Sequence, residues 1–126
     1  MNLKSFGCSF IYGSELADEV WGGSNSTWPA LLAKEYNYEY QCYARPGSGN
    51  LRIAESVLSQ LACNDPGLYV IGWSWIDRFD YTSLDDKWKT IMPGTEDALA
   101  KVYYRDLHSQ YRDKLTTLMS INWRRK

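Results

Sequence analysis

The chain has no surplus of either charge, no long apolar run and almost no histidine, and each shortage removes a class of function. Its 126 residues carry 14 basic and 15 acidic side chains, a formal net charge of −1. That balance offers no electrostatic case for nucleic acid or for an anionic membrane surface. Nothing approaches the roughly 18 apolar residues that a membrane span requires, and Met1 is followed by polar Asn2 and Lys4 rather than by a signal-peptide core. The three cysteines, Cys8, Cys42 and Cys63, cannot all pair within one chain and lack zinc-like spacing, so reduced thiols in a soluble cytoplasmic protein are expected. The single histidine, His108, leaves little choice of imidazole base.

Aromatic residues are abundant instead. They make up 15% of the chain, with 6 Trp and 10 Tyr, more than one core of this size needs, so some rings should line a groove or surface. A chain of this length forms a single domain, expected over residues 1–121, with 122–126 as a tail.

The order of elements is legible from period and punctuation. Leu3-Lys4-Ser5-Phe6 leads into Gly7-Cys8-Ser9-Phe10, a strand followed by a turn that presents a hydroxyl. Ser14 to Ser26 is polar and small, an exposed loop. Thr27-Trp28-Pro29 supplies a cap and a first-turn proline for a helix that stops near Asn37. Tyr38 to Ala44 alternates as a second strand and ends at Arg45-Pro46-Gly47-Ser48-Gly49-Asn50. Ile53, Ala54, Val57, Leu58 and Leu61 then mark one face of a helix.

Leu68-Tyr69-Val70-Ile71-Gly72-Trp73 is near-continuously apolar, as in a strand buried on both faces at the centre of a parallel sheet. Ser74 to Gly94 shows no sustained period and is expected to be a long irregular loop. From Thr95 a last helix is predicted to run to about Ile121 on the face of Val102, Tyr103, Leu107, Tyr111, Leu115 and Leu118.

This strand-helix alternation predicts an α/β fold: a three-layer, flavodoxin-like parallel sheet of about three strands with the first between the second and third. Ligands of such sheets sit beyond the carboxyl ends of the strands, where Ser9, Gly49-Asn50 and Trp73-Ser74 all fall. A hydroxyl, a backbone N–H at a helix start and a polar side chain can divide the work of acyl transfer between them.

On these blocks the chain resembles the SGNH (GDSL-like) hydrolases, small α/β enzymes that cleave esters, acetyl groups and related acyl bonds. Gly7-Cys8-Ser9-Phe10 is similar to the family's Gly-Asp-Ser block, Trp28-Pro29-Ala30-Leu31-Leu32-Ala33 to the helix after it, Pro46 to Asn50 to the second block and Val70 to Ser74 to the third. The resemblance implies Ser9 as nucleophile, Gly49 as backbone oxyanion donor and Ser74 at the position of the family's asparagine donor. Asn50, Trp73 and Trp75 would line the substrate, a small ester or acylated sugar, and no cofactor or metal is implied. Ser74 is a shorter donor than asparagine, and loss of one such donor typically costs about 10²–10³ in rate.

The family's Asp-x-x-His has no counterpart here. Asp106 and His108 lie two apart and would point roughly 200° from one another on a helix, so Asp106 could not orient His108 as a base. The chain is therefore expected to be an N-terminal portion of such a fold, whose third strand exposes an apolar edge prone to self-association. The alternative is a non-catalytic protein that uses the aromatic edge to bind carbohydrate or another chain. The Asp77, Asp80, Asp85 and Asp86 group admits a metal-site reading, but its spacing matches no EF-hand and solvated loop acids are the simpler account.

Overall fold

The computed structural model describes residues 1–123. Three parallel strands form its centre: β1 (Asn2–Phe6), β2 (Glu39–Cys42) and β3 (Leu68–Ile71), in the order β2-β1-β3. Leu3 lies opposite Tyr40 on one side and Leu68 on the other, and Phe6 opposite Ile71. β1 is followed by a short turn of helix, α1 (Ser9–Tyr12), and then α2 (Trp28–Glu35), while α3 (Asn50–Ala62) joins β2 to β3. The first crossover runs from β1 out to β2 and the second back past β1 to β3, in opposite directions, so right-handedness sets α2 and α3 on opposite faces of the sheet.

Side-chain alternation along β1 divides the two layers. Phe6, fully buried, stacks between Tyr43 at 5.3 Å and Tyr69 at 5.5 Å and packs on Ile53 and Val57 of α3. Two residues back on the same face, Lys4 is also fully buried. Its ammonium pairs with Asp65 in the α3–β3 turn and lies 5.3 Å over the Tyr69 ring. Desolvation would lower the Lys4 pKa, but the Asp65 and Tyr69 interactions outweigh it and hold the group above its ordinary value. A cation thus completes the core beneath Tyr69.

Several expectations are corrected. β3 pairs only with β1 among the described strands and is half-exposed, with Leu68 42% exposed; it is an edge strand, not a central one. Residues 74–94 are not irregular throughout, since β4 (Phe79–Thr82) and β5 (Trp88–Ile91) form an antiparallel hairpin, Phe79 opposite Ile91. Its core of Ile91, Ala100 and Tyr103 is shared with the segment that follows.

The predicted last helix is broken into α4 (Ala98–Val102), a stretch of π-helix (Tyr103–Leu107) and α5 (Gln110–Trp123). The break has a local cause. His108 is extended, and the Ser109 hydroxyl accepts from the Arg112 N–H at 3.1 Å, capping a new helix. Of the predicted face only Tyr103 is buried, whereas Val102, Leu107, Tyr111, Leu115 and Leu118 are exposed. α5 instead buries Asp113 and Ser120 and packs on α3. It also continues through Asn122 and Trp123, assigned to a tail by sequence; Arg124, Arg125 and Lys126 lie outside the described residues.

The polar stretch before α2 is a loop, but it is not uniformly exposed. Asp18 accepts from the Ser24 hydroxyl, the Asn25 N–H at 3.0 Å and the Ser26 hydroxyl at 3.0 Å. Ser24, 1% exposed, donates its N–H to Tyr12 O at 2.8 Å. The loop is pinned at its end.

Candidate functional site

The carboxyl ends of the parallel strands gather the three small-residue turns. Beyond β1 the backbone ladder continues: Gly72 N donates to Phe6 O at 2.8 Å and Arg45 N to Gly7 O at 3.0 Å. Gly7 is required there by space. A Cβ at that position would stand 2.5 Å from Ile11 Cγ1 and 2.9 Å from Gly72 O, inside contact distance. The close approach lets α1 start at once, with Ser9 as its first residue.

Ser9 is half-buried, and among the described residues its hydroxyl has no hydrogen-bond partner. Its own backbone N–H, at the first helical position, has no intrahelical acceptor. Phe10 beside it is 80% exposed, whereas Cys8 is buried.

Asn50 and Ser74 are joined directly. The Ser74 N–H donates to Asn50 Oδ1 at 2.7 Å, and Asn50 Nδ2 donates back to Ser74 O at 3.2 Å. This reciprocal pair ties the start of α3 to the end of β3. The Ser74 hydroxyl is buried without a partner among the described residues. A cleft of about 240 Å³ brings Ser74 together with Cys8, Phe10, Trp73 and Trp75. A smaller cavity of about 130 Å³ lies between Asn50, Trp73, Ser74 and Ile76 on one side and Thr117, Ser120 and Ile121 of α5 on the other. Trp75 is 69% exposed and Trp73 38%, so both present ring surface at this edge.

Gly49 is placed at the strand edge as expected, but its N–H is occupied. It donates at 2.9 Å to Asp80 Oδ1, while Arg52 N donates at 2.9 Å to Asp80 Oδ2 and the Thr90 hydroxyl donates at 2.5 Å to Oδ1. Asp80, on β4, is 4% exposed. It is the carboxylate that caps the N-terminus of α3, meeting two of its four free N–H groups and the helix dipole. A Cβ on Gly49 would fall 2.6 Å from either carboxylate oxygen, so glycine is what admits Asp80.

Sequence reasoning missed this role by treating Asp80 as one of four loop acids. The signal was the alternation Phe79-Asp80-Tyr81-Thr82 facing Trp88-Lys89-Thr90-Ile91 across a short turn. Among the described residues no group of His, Cys, Asp and Glu could hold a metal ion.

His108 is held away from Asp106, which pairs with Arg105 at 2.7 Å. Because α5 starts afresh after Ser109, His108 Nε2 instead meets Asp113 Oδ2 at 2.7 Å, with the Tyr104 ring 5.2 Å away. An acid-imidazole pair therefore exists, formed by a helix break rather than by helical spacing. Tyr104 donates its hydroxyl to Asp77 O at 2.5 Å and Ile91 O at 2.9 Å; burial pushes its pKa well above the ordinary tyrosine value, and this pair of bonds roots the π-helical stretch on the hairpin.

No helix among the described residues is long and apolar enough to cross a membrane. No family model, no curated protein and no solved structure is significantly similar to this chain.

Proposed function

We propose that this chain is an SGNH-hydrolase-like α/β domain, flavodoxin-like in its sheet order, whose strand-end edge binds a small ester or acylated sugar with Ser9 at the nucleophile position. The observation that carries the reading is the convergence of three turns on one edge of a β2-β1-β3 sheet, with Asn50 bonded to Ser74 across it. That convergence supports acyl transfer because such chemistry needs a hydroxyl and neighbouring hydrogen-bond donors on one rigid rim. In this reading the Trp73 and Trp75 rings form the wall for the acyl or sugar portion.

One observation favours the second reading, a non-catalytic binding protein on the same fold. The Gly49 N–H, which an oxyanion would need, is held by the Asp80 carboxylate at 2.9 Å. An oxyanion brought there would meet a fixed negative charge. Donation would fall to the Ser9 N–H and the Ser74 hydroxyl, and Ser9 has no base bonded to it among the described residues.

Hydrolysis of p-nitrophenyl acetate by the wild type and by Ser9→Ala, together with fluorophosphonate labelling of both, separates the two readings. A serine hydrolase loses turnover and labelling in Ser9→Ala. Equal rates and equal labelling in the two proteins would remove Ser9 from the chemistry and leave binding as the function.

A further inference from the structure

We propose that the cleft between the end of β2 and the first turns of α3 binds an anionic group, so that the small-molecule ligand of this domain carries a carboxylate or a phosphate. The cleft encloses about 200 Å³ and is lined by Arg45, Arg52, Tyr43, Ser48, Glu55 and Trp88, among others. It adjoins the strand-end edge, and it deepens the reading of that edge as a small-ligand site without requiring Ser9 to turn anything over.

The charge balance of the cleft points to an anion. Two guanidinium groups face one carboxylate, and that carboxylate, Glu55, already accepts from the Ser59 hydroxyl at 2.9 Å. Among the described residues neither Arg45 nor Arg52 forms an ion pair. Arg45 uses Nη1 on Ala44 O at 2.9 Å and lies 5.9 Å over the Trp21 ring, which fixes the group without neutralising it. The Arg52 side chain is half-buried and has no acceptor among the described residues. A third guanidinium, Arg78, donates Nη1 to Ser48 O at 3.0 Å, so it approaches the same turn from the hairpin, with its Nε buried and unpartnered.

Three cations therefore surround the start of α3 in a protein of net charge −1, and Asp80 is the one buried carboxylate set against them and against the helix dipole. Arginine donors in a fork suit planar or tetrahedral oxyanions. Trp88 and Tyr43 add aromatic surface beside them, so an anion attached to a ring or sugar fits better than a free ion.

Three ligands that share one aryl group test this by calorimetry: p-nitrophenyl β-D-glucuronide, p-nitrophenyl phosphate and the neutral p-nitrophenyl β-D-glucoside. The glucuronide or the phosphate, whichever source of charge the cleft takes, is expected to bind at least about tenfold tighter than the glucoside, with the advantage shrinking at high salt. Arg52→Gln and Arg45→Gln should each abolish most of that advantage with unchanged circular dichroism, and Ser9→Ala should keep it. Arg45 is exposed, so its variant remains informative if Arg52→Gln misfolds. Equal affinity for the three ligands, no binding of any, or anion selectivity intact in the folded arginine variants overturns the proposal. Loss of esterase activity in Ser9→Ala bears on the nucleophile alone.

Discussion

Replacing Asp80 should cost more than replacing Asp77, Asp85 or Asp86, because it joins β4 to the start of α3, where Gly49 and Asn50 of the candidate site lie. Its carboxylate accepts from two backbone N–H groups at 2.9 Å and from the Thr90 hydroxyl at 2.5 Å, in a position 4% exposed. In Asp80→Ala the Gly49 and Arg52 N–H groups lose their acceptor, and each buried orphan costs about 1–3 kcal/mol. Water can reach Arg52 more easily than Gly49, which brings the expected total to about 3 kcal/mol.

Asp80→Asn keeps the volume and one acceptor but turns an amide NH₂ toward a second donor, for a cost of about 1–2 kcal/mol. Thr90→Val removes one charge-assisted bond, about 1.5 kcal/mol. Urea unfolding followed by circular dichroism measures all three, and with a slope near 1.5 kcal/mol/M the Asp80→Ala midpoint should fall by about 2 M. A midpoint within about 0.3 M of wild type at unchanged slope would refute the capping role. Additivity of Asp80→Ala and Thr90→Val would refute the bond between these two side chains, since residues that share a bond couple.

Gly7→Ala should destabilise by about 1–3 kcal/mol, because the added methyl meets Ile11 Cγ1 at 2.5 Å and Gly72 O at 2.9 Å; thermal unfolding checks it, and an unchanged midpoint would mean that α1 can slide off the strand ends. The Asp18 carboxyl lies below its ordinary pKa, chiefly through the Ser24 hydroxyl against a smaller opposing effect of burial. Its stabilisation of the 14–26 loop is therefore full above the unfolded value of about 3.9 and disappears as pH falls through the lower folded value. Comparing the fluorescence of wild type and Trp21→Phe should show a transition below pH about 4 that Asp18→Asn removes; a midpoint above that range would assign the transition elsewhere. The outer edge of β3 is unpaired among the described strands, and Leu68 on it is 42% exposed, so sedimentation should show association rising with concentration and reduced by Val70→Lys; a concentration-independent monomer would refute it.

The parallel sheet was readable because its elements carry local signals: a glycine or small-residue turn at each strand end, a first-turn proline for α2, and for α3 a helical face of which Ile53, Ala54 and Val57 are buried, although Thr27 turns its hydroxyl to Ser24 O rather than capping α2. Right-handed crossover fixes only the face that each helix covers; β1 lies between β2 and β3 in the arrangement that covers both faces of the sheet. The same signals put Ser9, Gly49, Asn50, Trp73 and Ser74 on one edge. Beyond residue 74 the local signals are weaker. The hairpin's strands are only four residues each, too short for a period to stand out among acids. The apolar positions from Val102 to Leu118 satisfy a helical period across a break that Ser109 creates, and all of them but Tyr103 are exposed.

Sequence by itself determined the α/β alternation and the identity of the residues at the carboxyl edge of the strands, because those depend on local propensity and turn chemistry, whereas the apolar run of β3 pointed to a central strand that the sheet places at its edge. Tertiary structure alone decided what those residues are bonded to. Contacts across 31 residues give the Gly49 N–H to Asp80, and contacts across 24 lock Asn50 to Ser74. A helix break of two residues turns His108 from Asp106 to Asp113. Hydrogen-bond partners at that separation are set by the packing of whole elements, which no local pattern of residues encodes.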